Sequence, residues 1–565
     1  MEAGGEEHFD AVVVGSGFGG SVTALRLSEA GMRVCLLERG KAYPPGSFPR
    51  SPWRTSQNLW DPSEGLHGLL NVWEFRGLGS IVASGLGGGS LLYSNVLIRK
   101  DPSTFVREDL DRGGWEHWPV SYEELEPHYA RHEAMLHAKP YPLEHPPYSG
   151  TYKTNALREA AERLGLEWYL PKLAVTFAPD GGAPVPGVPI VGGEQNLHGL
   201  PRLTCRLCGE CNFGCNYGSK DTLDFNYLSF AKLRHGVDVR TRCEAKTLAP
   251  RPGGGYAVGY VDHGEAVEGE PRRAPLPERT ITADRLVLCA GTIGSTFLLL
   301  KNRANFPGIS ERLGTRFCGN GDLLTFVMRA HETVDGKRRG RPIEPGYGPV
   351  ITSTIRVKDA LEGGSGRAYY VQDGGYPETI NWIIEAGDQP AGFVRAIRFA
   401  WRLLKLYLRR GGSSDVGADL ARLIGPAPTS STTLPLFAMG RDVPDGTMRL
   451  TRDGLLDVDW NKRRSNPTFE AVRRTGRDIA KVLDGKFKDN PPWYVGRVVT
   501  VHPLGGCPMG RNEREGVVDP YGQVFGYPGF VIADGSVMPG PVGPNPSNTI
   551  SALAHRFAER LIEDA

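Results

Sequence analysis

The first 38 residues constrain the fold more than any other part of the chain. An apolar run at 9–14 is followed at once by a glycine-rich turn at 15–20, and a helical pattern occupies 22–30. A second strand-like run at 33–37 ends in Glu38. Strand, glycine turn, helix, strand and acid in this order are typical of a dinucleotide-binding βαβ unit. The sequence therefore predicts an α/β fold with a doubly wound domain built on this unit.

The turn contains six residues with separable roles: Gly15, Ser16, Gly17, Phe18, Gly19 and Gly20. Gly15 permits the tight turn, Gly17 lets backbone approach a pyrophosphate, and Gly20 lets the helix pack close to the strand. The helix N-terminus offers free N–H groups to phosphates, and Glu38 is placed to accept hydrogen bonds from an adenosine ribose. We interpret the turn as an adenine dinucleotide site. A glycine turn without a ligand is the alternative, and the motif does not distinguish FAD from NAD.

Size and charge exclude several classes of partner. The chain has 565 residues, enough for two or three domains, and a formal net charge of +2. No long basic block or reader motif indicates nucleic acid, and no apolar stretch is long enough to cross a bilayer. An acidic N-terminus without an apolar segment predicts a cytoplasmic protein. Without an export signal, the nine cysteines favour thiols or metal ligands over a disulfide framework.

A second glycine cluster at 84–90 leads directly into an apolar run at 91–96. Bare backbone at Gly88 and Gly89 suits close packing against a flat ring or a diphosphate. The alternative is a flexible linker, but a linker is not expected to continue into a strand-like run. Two further segments suit the same domain: a strand pattern at 237–247, and an apolar run at 281–290 that precedes a helix start at Gly291.

The most unusual stretch is a cysteine run with the spacing C-x2-C-x2-C-x3-C, formed by Cys205, Cys208, Cys211 and Cys215. The spacing matches that of iron–sulfur ligands in bacterial ferredoxins, except that Asn216 replaces the proline. In ferredoxins the fourth cysteine serves another cluster, so a remote ligand is expected here. The candidates are Cys243, Cys289, Cys318 and Cys507. Zinc, a disulfide and buried thiols without metal remain open as alternatives.

Residues 393–410 form a predicted amphipathic helix with basic residues on one face. Arg395, Arg398 and Arg402 lie on that face, and Trp401 is on the apolar one. Such a helix suits peripheral contact with the inner face of a membrane. The alternative is a surface helix packed on its own domain.

The closing segment carries the candidate chemistry. His502 follows a short apolar run, a strand ends in Asp534-Gly535, and Asn545-Pro546 precedes the last helix. Oxidising an alcohol by hydride transfer requires removal of the hydroxyl proton. An imidazole can accept that proton, and a carboxamide can hydrogen-bond the same oxygen and orient the C–H bond.

Several of these motifs resemble the glucose–methanol–choline (GMC) family of FAD-dependent oxidoreductases, and most closely its bacterial cholesterol oxidase branch. The similar stretches are the Trp-Pro-x-Ser-Tyr helix start at 118–122, His-Pro-Leu-Gly-Gly-Cys at 502–507, Asp-Gly-Ser at 534–536 and Asn-Pro-x-x-Thr-Ile at 545–550. The resemblance implies a Rossmann-like FAD-binding domain and a second α+β substrate domain built on an antiparallel sheet. The FAD-binding domain is expected at 1–100, 201–325 and 491–565, and the substrate domain at 101–200 and 326–490.

The resemblance also implies roles for individual residues. His502 and Asn545 match the catalytic pair, and FAD is expected to bind without a covalent bond. The remaining expected cofactor contacts, beyond the first turn and Glu38, are Gly88, Gly89, Ser94, Asn95, Glu244, Ala245, Ala290, Gly291, Asp534, Gly535, Asn545 and Pro546. A further active-site glutamate of that branch has no clear counterpart; Asp373, Glu378 and Glu385 are candidates.

These implications define the expected function as oxidation of a hydroxyl group on a lipophilic alcohol, such as a steroid, by a flavoprotein. Dioxygen or an electron carrier would reoxidise the flavin. One alternative is a dehydrogenase that passes electrons through a cluster at the cysteine run to a quinone or carrier protein. Another is a non-oxidative flavin-dependent lyase or decarboxylase.

Overall fold

The computed structural model describes residues 7–50, 56–110, 113–179, 181–190, 195–271, 274–377, 401, 429–460 and 462–565. The predicted basic helix at 393–410, apart from Trp401, lies outside the described residues, as do Glu378 and Glu385. No helix within the described ranges is long and apolar enough to cross a membrane.

The first large sheet, sheet A, confirms the predicted doubly wound unit. Strand His8–Val14 lies between Val34–Glu38 and Glu278–Leu288, and all three run parallel. The other four strands of this seven-stranded sheet are Asp238–Thr241, Cys243–Pro250, Tyr256–Asp262 and Phe530–Ile532. The strand expected at 237–247 is therefore two strands, because the chain breaks at Arg242, whose φ is +59°.

Helix Phe18–Glu29 packs on sheet A, helices Tyr227–His235 and Ser547–Glu563 pack on that helix, and helix Tyr122–Met135 packs on Ser547–Glu563. Helix Tyr122–Met135 begins with a capping box, in which the Ser121 N–H donates to the Glu124 carboxylate at 2.8 Å. Apolar side chains of strands and helices, such as Val12, Leu25, Leu286 and Phe557, form the core here. Helix Gly291–Lys301 follows the apolar strand, as predicted.

The second large sheet, sheet B, confirms the antiparallel substrate domain. Its six strands are, in order, Glu167–Tyr169, Thr354–Val357, Tyr369–Asp373, Leu434–Gly440, Leu323–Met328 and Lys486–Asp489. Helices Tyr152–Leu164 and Asn466–Val482 pack against it through residues such as Leu157 and Phe469. A second core, separate from that of sheet A, results.

Short strands form several separate two- and three-stranded sheets. They are Trp60–Asp61, Leu66–His67, Leu70–Phe75, Leu78–Ala83, Val96–Leu97, Val106–Glu108, Trp115–His117, Lys139–Pro140, Lys172–Leu173, Thr315–Cys318, His331–Val334, Lys337–Gly340, Thr447–Leu450, Leu456–Asp459, Val498–Thr500 and Leu504–Gly506. Val498–Thr500 runs parallel to Leu78–Ala83 and leads directly to His502. The strand that precedes the second glycine cluster and the closing segment are thus linked by the same small sheet.

Candidate active site

The glycine turn lies where parallel strands of sheet A end together. Val14 is in register with Leu288, which is in register with Ile532. A Cβ atom at Gly20 would lie 1.9 Å from the carbonyl oxygen of Gly15, so this glycine permits the close packing expected of it. A Cβ at Gly17 would meet no atom within 4 Å, which leaves open space beside the helix N-terminus.

Gly19 has a role that the motif did not reveal. A Cβ at this position would lie 1.4 Å from the carbonyl oxygen of Ala533, at the end of the last strand of sheet A. The start of the chain thus packs against the closing segment through a glycine backbone. No local pattern signals this contact, because its partner is more than 500 residues away.

Glu38 and the second glycine cluster meet at Ser16. The Glu38 carboxylate accepts hydrogen bonds from the Ser16 hydroxyl at 2.6 Å and from the Gly40 N–H at 2.8 Å. The Ser16 hydroxyl oxygen accepts a bond from the Gly87 N–H at 3.0 Å. A Cβ at Gly88 would lie 2.6 Å from the Gly17 Cα, so the second cluster packs directly on the first. It forms a short helical turn, Gly88–Leu91, and the linker alternative is wrong.

Asn95 carries unused polar groups at this place. Its side chain is fully buried and its φ is +68°, yet among the described residues neither its amide nitrogen nor its amide oxygen has a hydrogen-bond partner. Leaving both unsatisfied would cost on the order of several kcal/mol. An unpaired buried amide on this segment fits a polar ring that binds against it. Ser94 is used otherwise, since its hydroxyl donates to Asn212 in the cysteine-rich loop at 2.8 Å.

The other expected cofactor contacts are largely engaged by protein groups. Asp534 accepts bonds from the Gly291 N–H at 2.9 Å and from the Ser536 N–H at 2.8 Å, and burial raises its pKa. Its carboxylate therefore holds helix Gly291–Lys301 against the closing segment. Gly535 lies in the short helical turn that follows. The Ala290 N–H donates to the Ser295 hydroxyl at 3.0 Å.

Glu244 is held by neighbouring basic groups. Burial raises the pKa of its carboxyl, but a 3.0 Å bond from His263 and the charge of Lys246 outweigh burial and lower it to about 2. Ala245 precedes a bulge in the same strand, at the junction with the neighbouring strand Tyr256–Asp262. The adenine contact expected at these two positions stays a prediction.

His502 is oriented by a carboxylate that the sequence analysis missed. Its Nδ1 lies 2.7 Å from Oδ1 of Asp322, and its backbone N–H donates to Oδ2 of the same residue at 3.1 Å. The Thr500 hydroxyl and the Val501 N–H also donate to Oδ2, at 2.9 and 2.8 Å. Nε2 bonds to none of the described residues, and the side chain is 19% exposed. Nδ1–H faces the carboxylate, so Nε2 of the neutral ring carries the free lone pair.

Asn545 is oriented by Gln372, a second residue that the sequence analysis missed. The Gln372 side-chain amide donates to Oδ1 of Asn545 at 2.9 Å, and both side chains are buried. Oδ1 of Asn545 is thereby occupied, which fixes the orientation of the amide and directs its NH₂ group away from Gln372. Pro546 directly precedes helix Ser547–Glu563, the position where a missing N–H costs little.

One turn, at 319–322, contacts His502 and also the loop that precedes Asn545. Asp322 contacts His502, and two residues earlier the Asn320 side chain donates to the Pro544 carbonyl at 3.0 Å and accepts from the Gly543 N–H at 2.9 Å. Both loops of the closing segment are therefore anchored to the same short stretch.

Asp373, a candidate for the active-site acid, has a different place. Its buried carboxylate accepts the N–H groups of Thr352 and Ser353 at 3.0 and 2.6 Å, and burial raises its pKa. The neighbouring Gln372 points to Asn545 instead, because successive side chains of a strand alternate between faces. Asp373 therefore supports the sheet, and the candidate catalytic set has a carboxylate at Asp322.

The four motif cysteines lie in one loop, and all nine cysteines are free thiols, so the disulfide alternative is wrong. Among the residues that the structure describes, no three His, Cys, Asp or Glu side chains are arranged to hold a single metal ion. This arrangement gives a single zinc ion no support.

Comparisons with known proteins agree with this geometry. A family model described as GMC oxidoreductase matches residues 443–554, and one for NAD(P)-binding Rossmann-like domains matches 13–43. A cholesterol oxidase of Mycobacterium tuberculosis is 30% identical, covering 97% of this chain and 90% of the relative. The chain belongs to the GMC oxidoreductase family.

Other members of the family extend this result. A cholesterol oxidase of Acinetobacter baumannii is 28% identical and covers 97% of this chain and 93% of its own length. A long-chain-alcohol oxidase of Arabidopsis thaliana is 23% identical and covers 98% of this chain and 66% of its own length. The crystal structure of pyridoxine 4-oxidase from Mesorbium loti shares the fold, with a TM-score of 0.57 at 17% identity over 98% of both chains.

Membership makes the protein a flavin-dependent oxidoreductase that acts on CH–OH groups, as expected. The residues present fit a flavin: open space at Gly17, a buried unpaired amide at Asn95, and an imidazole and a carboxamide on the loops that the turn at 319–322 holds.

Proposed function

We propose that the protein oxidises the hydroxyl group of a lipophilic alcohol, such as a sterol, with His502 as the base and Asn545 as its hydrogen-bond partner. The observation that carries the proposal is the 2.7 Å contact between Nδ1 of His502 and Asp322, which leaves Nε2 uncommitted. Non-covalently bound FAD would supply the hydride acceptor, held by Gly17, Glu38 and Asn95.

His502 acts on the hydroxyl proton. Because Asp322 accepts the Nδ1–H, the neutral imidazole presents an unprotonated Nε2 to the substrate. As the proton moves onto Nε2, the ring becomes a cation beside a carboxylate, which stabilises it. Three further donors on Oδ2 keep the carboxylate from rotating.

Asn545 acts on the hydroxyl oxygen. Its Oδ1 is engaged by Gln372, so its NH₂ group is the part available to donate to the substrate. A second hydrogen bond to the same oxygen fixes the direction of the C–H bond, and orientation of this kind contributes strongly to rate.

The relatives support a lipophilic substrate. Two cholesterol oxidases align with this chain at 30% and 28% identity over 97% of its length, and a long-chain-alcohol oxidase aligns at 23% over 98%. Sterols and long-chain alcohols share a hydroxyl at the end of a large apolar body.

Anaerobic mixing with a panel of alcohols tests the proposal. Sterols and long-chain alcohols are expected to bleach the flavin absorbance, and His502→Gln and Asn545→Leu should slow bleaching by about 10²–10⁴-fold. His331→Gln is the matched control, since this histidine contacts Asp484 in the hairpin beside sheet B. Bleaching by hydrophilic alcohols alone would contradict the substrate class, and turnover without bleaching would indicate a lyase or decarboxylase.

A dehydrogenase is the second candidate, favoured by the contact between the cysteine-rich loop and the segment carrying Asn95. The Ser94 hydroxyl donates to Asn212 of that loop at 2.8 Å. A stopped-flow experiment separates the candidates. Reoxidation of the reduced flavin by air-saturated buffer with peroxide release indicates an oxidase, and reoxidation only by a quinone or a one-electron dye indicates a dehydrogenase.

A further inference from the structure

The cysteine-rich loop is the motif that alcohol oxidation leaves unused. Cys205, Cys208, Cys211 and Cys215 all line one cavity that is partly open to solvent. None of the remote candidates, Cys243, Cys289, Cys318 and Cys507, lines it. The fourth cysteine therefore shares the cavity of the first three, unlike in ferredoxins, where it serves another cluster.

The backbone of the loop is shaped to bring the four thiols together. The chain takes a left-handed conformation at Leu207, Gly209 and Gly214, with φ of +60°, +66° and +85°. A Cβ at Gly209 would lie 2.7 Å from the Gly346 carbonyl oxygen, and one at Gly214 would lie 2.0 Å from the ring of Phe48. These two positions accept only glycine without rearrangement, so the path of the loop is specific.

Side chains outside the loop hold it in this shape. The Arg50 guanidinium donates to the Glu210 carboxylate at 3.0 Å and to the Gly214 carbonyl at 2.6 Å. The Asn216 amide accepts from the Phe48 N–H at 3.0 Å and donates to the Phe48 carbonyl at 3.1 Å. The residue that replaces the ferredoxin proline thus fixes the end of the loop.

A buried cation lies at the wall of the cavity. Lys220 is 1% exposed, and its ammonium group donates to the carbonyl oxygens of Leu91, Tyr93 and Cys211 at 3.1, 2.8 and 3.0 Å. In the described part of the chain, no carboxylate lies within ion-pair distance of it. Burying an uncompensated positive charge is costly, so an anionic occupant of the cavity would be stabilised there.

We infer that this cavity binds an iron–sulfur cluster through the four motif cysteines. Cysteine thiolates are the ligands of such clusters, and a cluster needs ligands spread around a cavity, whereas a single ion needs them converging on one point. Among the described residues, no three His, Cys, Asp or Glu side chains converge on a point where a single metal ion could bind. A cluster ligated by four thiolates carries net negative charge, which matches the cation at Lys220.

The cavity adjoins the segment that carries Asn95. Lys220 bonds to Leu91 and Tyr93 of this segment and also to the cysteine-rich loop. A cluster held by the loop would therefore adjoin the segment that carries Asn95. Binding of the cluster can be tested without the alcohol reaction.

Metal analysis of the full-length holoenzyme tests the inference. After anaerobic purification, or reconstitution with ferrous iron and sulfide, we expect three to four irons with matching acid-labile sulfide per chain and an electron paramagnetic resonance signal in one redox state. Cys208→Ala and Cys211→Ala should lower both contents at least fivefold. Cys35→Ala, a change at a fully buried cysteine within sheet A, should leave both contents unchanged.

A second measurement uses the wild type alone, in case the variants do not fold. The four loop thiols should resist alkylation in the loaded protein and react after iron is removed by a chelator. Stoichiometric zinc without sulfide, or no iron after reconstitution of a folded protein with bound flavin, would overturn the inference. Flavin content and anaerobic bleaching, measured on the same sample, show separately whether the proposed alcohol oxidation fails.

Discussion

Replacing Asp322 by asparagine tests how the carboxylate controls His502. The amide oxygen can keep the three bonds that Oδ2 accepts from Thr500, Val501 and the His502 N–H. The NH₂ group then replaces Oδ1, 2.7 Å from Nδ1. Nδ1 must become the acceptor, which moves the ring proton to Nε2, where the base is needed. The variant should therefore fold and bind flavin while the imidazole is in the wrong tautomer.

The structure sets the magnitude of the loss. In the variant, returning the ring proton to Nδ1 would place the Nδ1–H against the N–H of the asparagine amide, at a cost of about 1–3 kcal/mol. Losing the charge-assisted bond to the imidazolium removes another 1.5–3 kcal/mol or so. The sum, about 3–6 kcal/mol, corresponds to a decrease of roughly 10²–10⁴-fold in the rate of flavin reduction.

Anaerobic stopped-flow reduction at saturating alcohol, from pH 5.5 to 9, is the assay. Asp519→Asn makes the same chemical change in a turn where the carboxylate caps the N–H groups of Tyr521 and Gln523, and should stay within about twofold of wild type. A reduction rate for Asp322→Asn within threefold of wild type, with an unaltered pH profile, would refute the proposed role of the carboxylate.

Three further outcomes are expected. Gly17→Ala should keep the fold but lose flavin, because the added Cβ lies in open space where we expect the flavin nucleotide to bind. Gly19→Ala should not fold, because its Cβ would lie 1.4 Å from a backbone oxygen. Circular dichroism and flavin content distinguish the two variants. Gln372→Met should slow flavin reduction about tenfold, since Asn545 loses the 2.9 Å bond that orients it, and stopped-flow reduction with unchanged flavin content checks this. Burial raises the pKa of Asp442 from 3.8 to about 7, so the folded state keeps a proton on this carboxyl that the unfolded state releases at lower pH. The stabilisation of the fold by this proton is complete below pH 4 and is lost as the pH rises through 7. Wild type should lose roughly 2–3 kcal/mol of unfolding free energy between pH 5 and 8 that Asp442→Asn does not lose, as measured by urea titration.

The parts of the fold that could be predicted are those with local patterns. The βαβ unit, the capping box at Ser121 and the helix after Gly291 each depend on residues a few positions apart. Asp322 and Gln372 could not be found this way, since they lie 180 and 173 residues from the groups they orient. A single aspartate before a strand has no recognisable sequence pattern, because its partner becomes its neighbour only in the folded chain.

The turn at 319–322 links the two large sheets, whose strands alternate along this chain. It directly precedes strand Leu323–Met328 of sheet B, yet its side chains hold the two loops of the closing segment, which packs on sheet A. Asn320 and Gly321 have φ of +53° and +65°, and a Cβ at Gly321 would lie 2.7 Å from the Gly440 N, so the turn is fixed by sheet B itself. The orientation of His502 and the position of the loop before Asn545 are consequently set by the sheet that would bind the alcohol. A substitution in sheet B that moves the turn at 319–322 should therefore affect the positions of His502 and Asn545 together.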